Sequence, residues 1–107
     1  MACIFCEIAA KRAPAQIVYE DDELMAFHDI HPQAPIHVLL IPKIHIPTVN
    51  DLEASHALMM GQLFLLAKKL AAQWQLVAPG YRLRVHVGRG GGQIVDHVHM
   101  HLLSGQH

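Results

Sequence analysis

Three histidines alternate with apolar residues near the end of the chain, in His97-Val98-His99-Met100-His101-Leu102-Leu103. Successive strand side chains point to opposite faces, so this spacing predicts His97, His99 and His101 on one face and Val98, Met100 and Leu102 in the core on the other. A row of imidazoles supports two chemistries. One ring can act as nucleophile or general base while a neighbour acts as acid, because imidazole titrates near neutrality. Alternatively, a His-x-His pair can chelate a catalytic zinc whose bound water is the nucleophile. The spacing admits both. Directly upstream, the glycine-rich run Gly88-Arg89-Gly90-Gly91-Gly92-Gln93 predicts backbone N–H groups converging on an anion, which points to a phosphorus centre. Cys3 and Cys6, the two cysteines of the chain, form a C-x-x-C pair too close and too few for a disulfide framework. A redox pair of this spacing follows a strand and opens a helix, whereas this one stands at the start of the sequence, so metal is the better reading.

The elements that must position these groups follow from periodicity. Cys3 to Arg12 has helical spacing and stops before Pro14, predicting a short helix. Ile17–Tyr19 and Leu24–His28 flank the acidic turn Glu20-Asp21-Asp22-Glu23 as a hairpin. Ile30 to Pro35 is a rigid loop, and His37 to Ile41 is a buried strand ended by Pro42. Asn50-Asp51 can cap one long helix running from Leu52 or Ser55 to Gln75. Its polar residues Ser55, Gln62, Lys69 and Gln73 form only a narrow stripe, leaving an apolar face too wide for one sheet and predicting a twofold dimer through this helix, the alternative being a helix buried more deeply by its own chain. Tyr81–Val87 and Asp96–Leu103 are the last two strands. The expectation is one α+β domain over residues 1–107, with a mainly antiparallel five-stranded sheet, one long helix and one short helix.

Bulk properties exclude several partners. With 107 residues there is room for one domain only. A net charge of -1, with ten histidines against eight Lys+Arg, gives no footprint for polymeric nucleic acid. The apolar run Leu63–Ala67 ends at Lys68-Lys69, far short of a membrane span, and the N-terminus lacks a signal pattern, so a cytoplasmic protein is expected.

The segment His97–Leu103 matches in full the His-φ-His-φ-His-φ-φ signature of the histidine triad (HIT) family, where φ is apolar. Ile4-Phe5-Cys6-Glu7-Ile8, Tyr19-Glu20-Asp21-Asp22, Phe27-His28-Asp29-Ile30, Pro32-Gln33-Ala34-Pro35, His37, Ile41-Pro42-Lys43, His45 and Gly91-Gly92-Gln93 resemble its Hint branch. The resemblance implies a HIT-like fold and a homodimeric purine nucleoside phosphoramidase or nucleotidyl hydrolase acting on AMP or GMP derivatives. It implies His99 as nucleophile, His101 as phosphate contact and proton donor to the amine, the His97 carbonyl as acceptor for the His99 Nδ1 proton, and His37 as a supporting histidine. Asp29 would bind the ribose, with Phe5, Ile8, Phe27, His28, Ile30 and Leu39 around the base and His86, Gly92 and Gln93 near the phosphate. Cys3, Cys6, His45 and His97 match the positions that bind structural zinc in many relatives, a complete Cys2His2 set.

The pattern is broken at a few places. His86 replaces an asparagine near the phosphate, so affinity or its pH dependence is expected to differ. Ile94 replaces a polar residue near the leaving group, His31 a serine, and Asp96 an aromatic residue. The sequence reaches only His107, where many relatives continue further, so their substrate preference does not transfer. His56 and His107 have no assigned role. Two other readings stand beside phosphoramidase: a zinc-dependent phosphohydrolase, and a nucleotide-binding or interaction module with little turnover.

Overall fold

Val38 to Ile41, an unbroken apolar run, becomes the middle of the sheet. The computed structural model describes residues 3–105. In chain order its elements are α1 (Ile4–Ala9), β1 (Ile17–Glu20), β2 (Leu24–His28), β3 (Ile36–Pro42), α2 (Ala57–Gln73), β4 (Arg82–Arg84) and β5 (Met100–Ser104). The five strands form one sheet of order β1-β2-β3-β5-β4 with every pair antiparallel. Asp21 closes the first hairpin: its carboxylate accepts from the N–H groups of Glu23 and Leu24 at 2.8 and 2.7 Å.

The period of two divides the sheet into two faces. Leu24, Ala26, Val38, Leu40, Met100 and Leu102 pack against Met59, Leu63, Leu66 and Leu70 of α2, together with Val98. Met25, Phe27, Leu39 and Ile41 point the other way and pack under Phe5 and Ile8 of α1. Each large side chain removed from water in these layers contributes about 1.5–3 kcal/mol. The predicted core positions Val98, Met100 and Leu102 are 2%, 1% and 0% exposed.

Several boundaries differ from expectation. The first helix spans Ile4–Ala9, not Cys3–Arg12, and the chain turns through a positive φ of 65° at Lys11. Two 3-10 turns, Val49–Asp51 and Ala54–His56, precede α2 and displace its start to Ala57. Thr48, rather than Asn50, caps the first: its hydroxyl accepts from the Asn50 N–H, and Asp51 accepts from the Thr48 N–H. His56, expected to be idle, accepts from the Glu53 N–H at 3.0 Å. His107 lies outside the described residues.

The last strand begins at Met100, so His97 and His99 precede it. The β3–β5 ladder stops at Leu40 opposite Met100. Proline has no N–H to continue it, and the Pro42 carbonyl instead accepts from the His97 ring at 2.7 Å. With its partner shortened, β4 pairs only over Arg82–Arg84 instead of Tyr81–Val87. No helix among the described residues is long and apolar enough to cross a membrane.

Candidate active site

Hydrogen-bond partners assign the tautomer of each buried ring, since a carbonyl only accepts and a backbone N–H only donates. His37, on β3, lies diagonal to His101 on β5, because Leu39 is the residue opposite His101. The His37 Nδ1 accepts from the backbone N–H of Gln33 at 3.0 Å. Its proton therefore sits on Nε2, which donates to His101 Nδ1 at 2.9 Å. His101 in turn must carry its proton on Nε2, a buried atom with no hydrogen-bond partner among the described residues. His99 is oriented the opposite way. Its Nδ1–H donates to the His97 carbonyl at 2.7 Å, leaving the Nε2 lone pair available. The His99 and His101 rings lie 5.0 Å apart, so a nucleophilic nitrogen and an N–H donor stand side by side.

Burial keeps these rings neutral. Desolvation is the main cause that lowers the pKa of His37 and His99; the Asp29 charge opposes it at His37, and the bond to the His97 carbonyl opposes it at His99. His101 is pushed down to about 4, first by burial and then by the His99, His37 and His86 rings around it. At neutral pH His101 is a hydrogen-bond donor rather than a cation.

The same hydrogen bonds separate two clusters of metal-type ligands. Asp29, His37 and His101 lie close together, but the His37 Nε2 that would face an ion carries the relay proton. That group is joined by the His37–His101 hydrogen bond. Cys3, Cys6, His45 and His97 offer four atoms within 4.8 Å of one another that could bind a metal. Here His97 Nε2–H is held by Pro42, which turns its Nδ1 lone pair toward the thiols. The Sγ···Nδ1 separations are 3.4 Å for Cys3–His97, 3.6 Å for Cys6–His97 and 3.3 Å for Cys6–His45. A tetrahedral zinc with ordinary Zn–S and Zn–N bonds requires S···N edges of about 3.5 Å, so the four residues fit that ion.

A cleft of about 540 Å³ borders Asp29 and is lined by Pro14, Ala15, Gln16, His28 and Ile30. Asp29 is fixed by accepting from the His31 N–H at 2.8 Å, and its other oxygen lies 3.4 Å from His37 Nε2. Ile30 is 81% exposed. Phe5, Ile8, Phe27 and Leu39 form the buried apolar layer of this face. The Phe5 ring meets His99 edge-on at 5.1 Å and Phe27 at 5.5 Å. His28 borders the cleft, but its ring stacks on Trp74 at 6.4 Å.

The glycine-rich loop spends four of its six N–H groups on itself, leaving those of Arg89 and Gly90 for the expected anion cradle. Gly91 and Gln93 donate to the Gly88 carbonyl and Gly92 to that of Arg89. The Gly88 N–H donates to Gln93 Oε1 at 2.8 Å, while Gln93 Nε2 donates to the Pro47 and Val95 carbonyls. Gln93, 2% exposed, is the internal brace of the loop. Gly92 has φ of 91° and lies against the His86 ring; His86 is 5.1 Å from His101.

Two contributors escaped the sequence reading. The Gln33 backbone N–H starts the relay, which no side-chain pattern could reveal. Arg84, opposite His101, reaches Gln33 Oε1 at 3.4 Å and leaves a buried Nε without a partner among the described residues. The Arg82/Arg84/His86 alternation was the available signal.

The model of the HIT domain family matches residues 10–107. The chain is 50% identical over 103 residues to the purine nucleoside phosphoramidase of Escherichia coli (strain K12), covering 96% of this chain and 87% of that protein. A crystal structure of a HIT family hydrolase from Legionella pneumophila Philadelphia 1 superposes with a TM-score of 0.97 at 47% identity, covering 99% of this chain and 95% of that one. A Zn-bound histidine triad family protein from Mycobacterium smegmatis gives a TM-score of 0.84 at 30% identity, covering 99% and 76%. The triad motif, the antiparallel sheet that carries it and these matches agree: this chain belongs to the HIT family.

Proposed function

We propose that the protein is a purine nucleoside phosphoramidase that works through a nucleotidyl-histidine. The observation that carries this reading is the fixed opposition of tautomers: His99 offers an Nε2 lone pair beside the Nε2–H of His101. The 50% identical relative bearing that activity supports it. His99 Nε2 attacks the α-phosphorus and the P–N bond breaks, the departing nitrogen leaving as an amine with one proton taken from solvent. Water then attacks phosphorus, the P–Nε2 bond breaks, and water gives up the proton that balances the first step. Splitting one displacement into two lowers each barrier. His101 donates its Nε2–H to a phosphoryl oxygen as charge builds there. Asp29 holds the ribose hydroxyls, and the layer of Phe5, Ile8, Phe27 and Leu39 with Ile30 receives the base. The test is incubation with adenosine 5′-phosphoramidate: the wild type releases AMP and His99→Ala does not. An inactive wild type, or an active His99→Ala, contradicts the reading.

Cys3, Cys6, His45 and His97 would hold a structural zinc, fastening α1 to the segment that carries His99. Such an ion supplies cross-linking rather than a nucleophile. Metal analysis should find about one zinc per chain, lost in the Cys3→Ser/Cys6→Ser double variant; a metal-free wild type contradicts it. The reduced thiols this requires suit the cytoplasm. Leu58, Phe64 and Leu65 are 76%, 55% and 62% exposed on α2, and β4 is a bare sheet edge, so this helix and edge are the surfaces for a homodimer. Sedimentation should give a two-chain mass for the wild type and one chain for Phe64→Glu; a single-chain wild type contradicts it.

A further inference from the structure

His86 borders the imidazole relay without belonging to it. Its half-buried ring lies 5.1 Å from His101 at 50° between planes, with Gly92 on another side, where an added Cβ would sit 3.7 Å from the His86 Cγ. Its nitrogens make no hydrogen bond among the described residues. The other rings have no such freedom. A second proton on His37 would confront the Gln33 N–H, and one on His101 would confront the His37 Nε2–H. His99 must keep its Nε2 lone pair for attack. The hydrogen-bond pattern thus holds three rings neutral and leaves one able to accept a charge. We propose that His86 brings the positive charge to this site: as an imidazolium it donates a hydrogen bond to a phosphoryl oxygen, so that phosphoryl binding takes up a proton. This inference rests on the nucleotide-binding reading above.

The titratable groups at this end of the sheet are His101 on β5, which lies beside His86, His99 just before it, His37 on β3, and Asp29 in the β2–β3 loop, 3.4 Å from His37. Arg84 on β4 is turned toward Gln33, and Arg89 of the glycine loop pairs with Asp96 at 3.0 Å. The lowered pKa of His101 keeps that ring uncharged across about pH 5 to 8.

The probe is the 5′-phosphate methyl ester of adenosine, whose single phosphoryl charge does not titrate in this range. Calorimetry in buffers of different ionisation enthalpy reads both affinity and proton uptake. Wild type should bind about tenfold more tightly at the acid end than at the alkaline end, the size of a hydrogen bond gaining a charge. Proton uptake should accompany binding. His86→Gln and His86→Asn, checked by melting temperature, should bind with no proton uptake and a flat pH dependence. Wild-type binding independent of pH, or variants that keep the wild-type pH dependence, overturns the role of His86 while leaving the nucleotide reading intact. A wild type that fails to bind the probe at any pH overturns both.

Discussion

The two faces of the sheet are built from alternate residues of the same strands and obey different rules. Toward α2, Leu24, Ala26, Val38, Leu40, Met100 and Leu102 form an apolar layer in which contact area decides everything. Toward α1 and the cleft, His37 and His101 take the intervening positions, and direction decides: one hydrogen bond to the Nδ1 of each ring sets where its proton lies. The first face tolerates a change of shape at a cost in stability. The second tolerates little change in donor or acceptor, because reversing one tautomer reverses the next. Stability and chemistry are separable here to the extent that this division holds.

The sharpest way to break the comparison is to delete one side chain from each face. His99→Ala should reduce phosphoramidate turnover by about a thousandfold or more while the protein stays folded, measured as kcat beside a melting curve. Leu102→Ala should do the reverse, losing about 3 kcal/mol of unfolding free energy in urea while the folded fraction keeps kcat within about twofold. If Leu102→Ala removed activity from fully folded protein, the faces would not be independent.

A smaller effect tests whether direction matters within the relay. His37→Gln keeps a polar group but cannot pass one fixed N–H between Gln33 and His101, and should lower kcat by about tenfold to a hundredfold with KM little changed. Equal loss in both parameters would assign His37 to binding instead.

The smallest effect is a pH dependence of stability. An unfolded chain protonates His101 near its ordinary value of 6.5, whereas the folded site resists until about 4. The unfolded state therefore binds more protons in that window, and stability falls as pH drops from about 6.5 to about 4. The loss assigned to His101 is about 2 kcal/mol after allowance for solvent screening. His101→Gln should flatten this part of the urea-denaturation profile, and an unchanged profile would place the titration elsewhere.

Much of this organisation was legible because it is local and periodic. Leu24–His28 was read with its observed ends, and His37–Ile41 lies one residue inside each end of β3. The Val98/Met100/Leu102 layer followed from alternation alone, and the four metal-type residues named from resemblance converge in space. What escaped depends on partners distant in sequence. The triad leaves the ladder because Pro42 has no N–H to offer and its carbonyl draws the His97 ring. The glycine run promised an anion cradle of many N–H groups, but Gln93 braces the loop from within and only those of Arg89 and Gly90 stay without an internal acceptor. Gln33 acts through its backbone, to which sequence patterns are blind.

The proposed chemistry stands or falls on His99 as the nucleophile. The direct measurement is intact-protein and peptide mass spectrometry after mixing wild type with adenosine 5′-phosphoramidate and quenching with neutral denaturant, because the P–N bond of the adduct is acid-labile. An adenylyl mass increment should be located on His99 within the first turnover and be absent from His99→Ala. An increment on another residue, or turnover by a wild type that never carries one, would contradict that assignment.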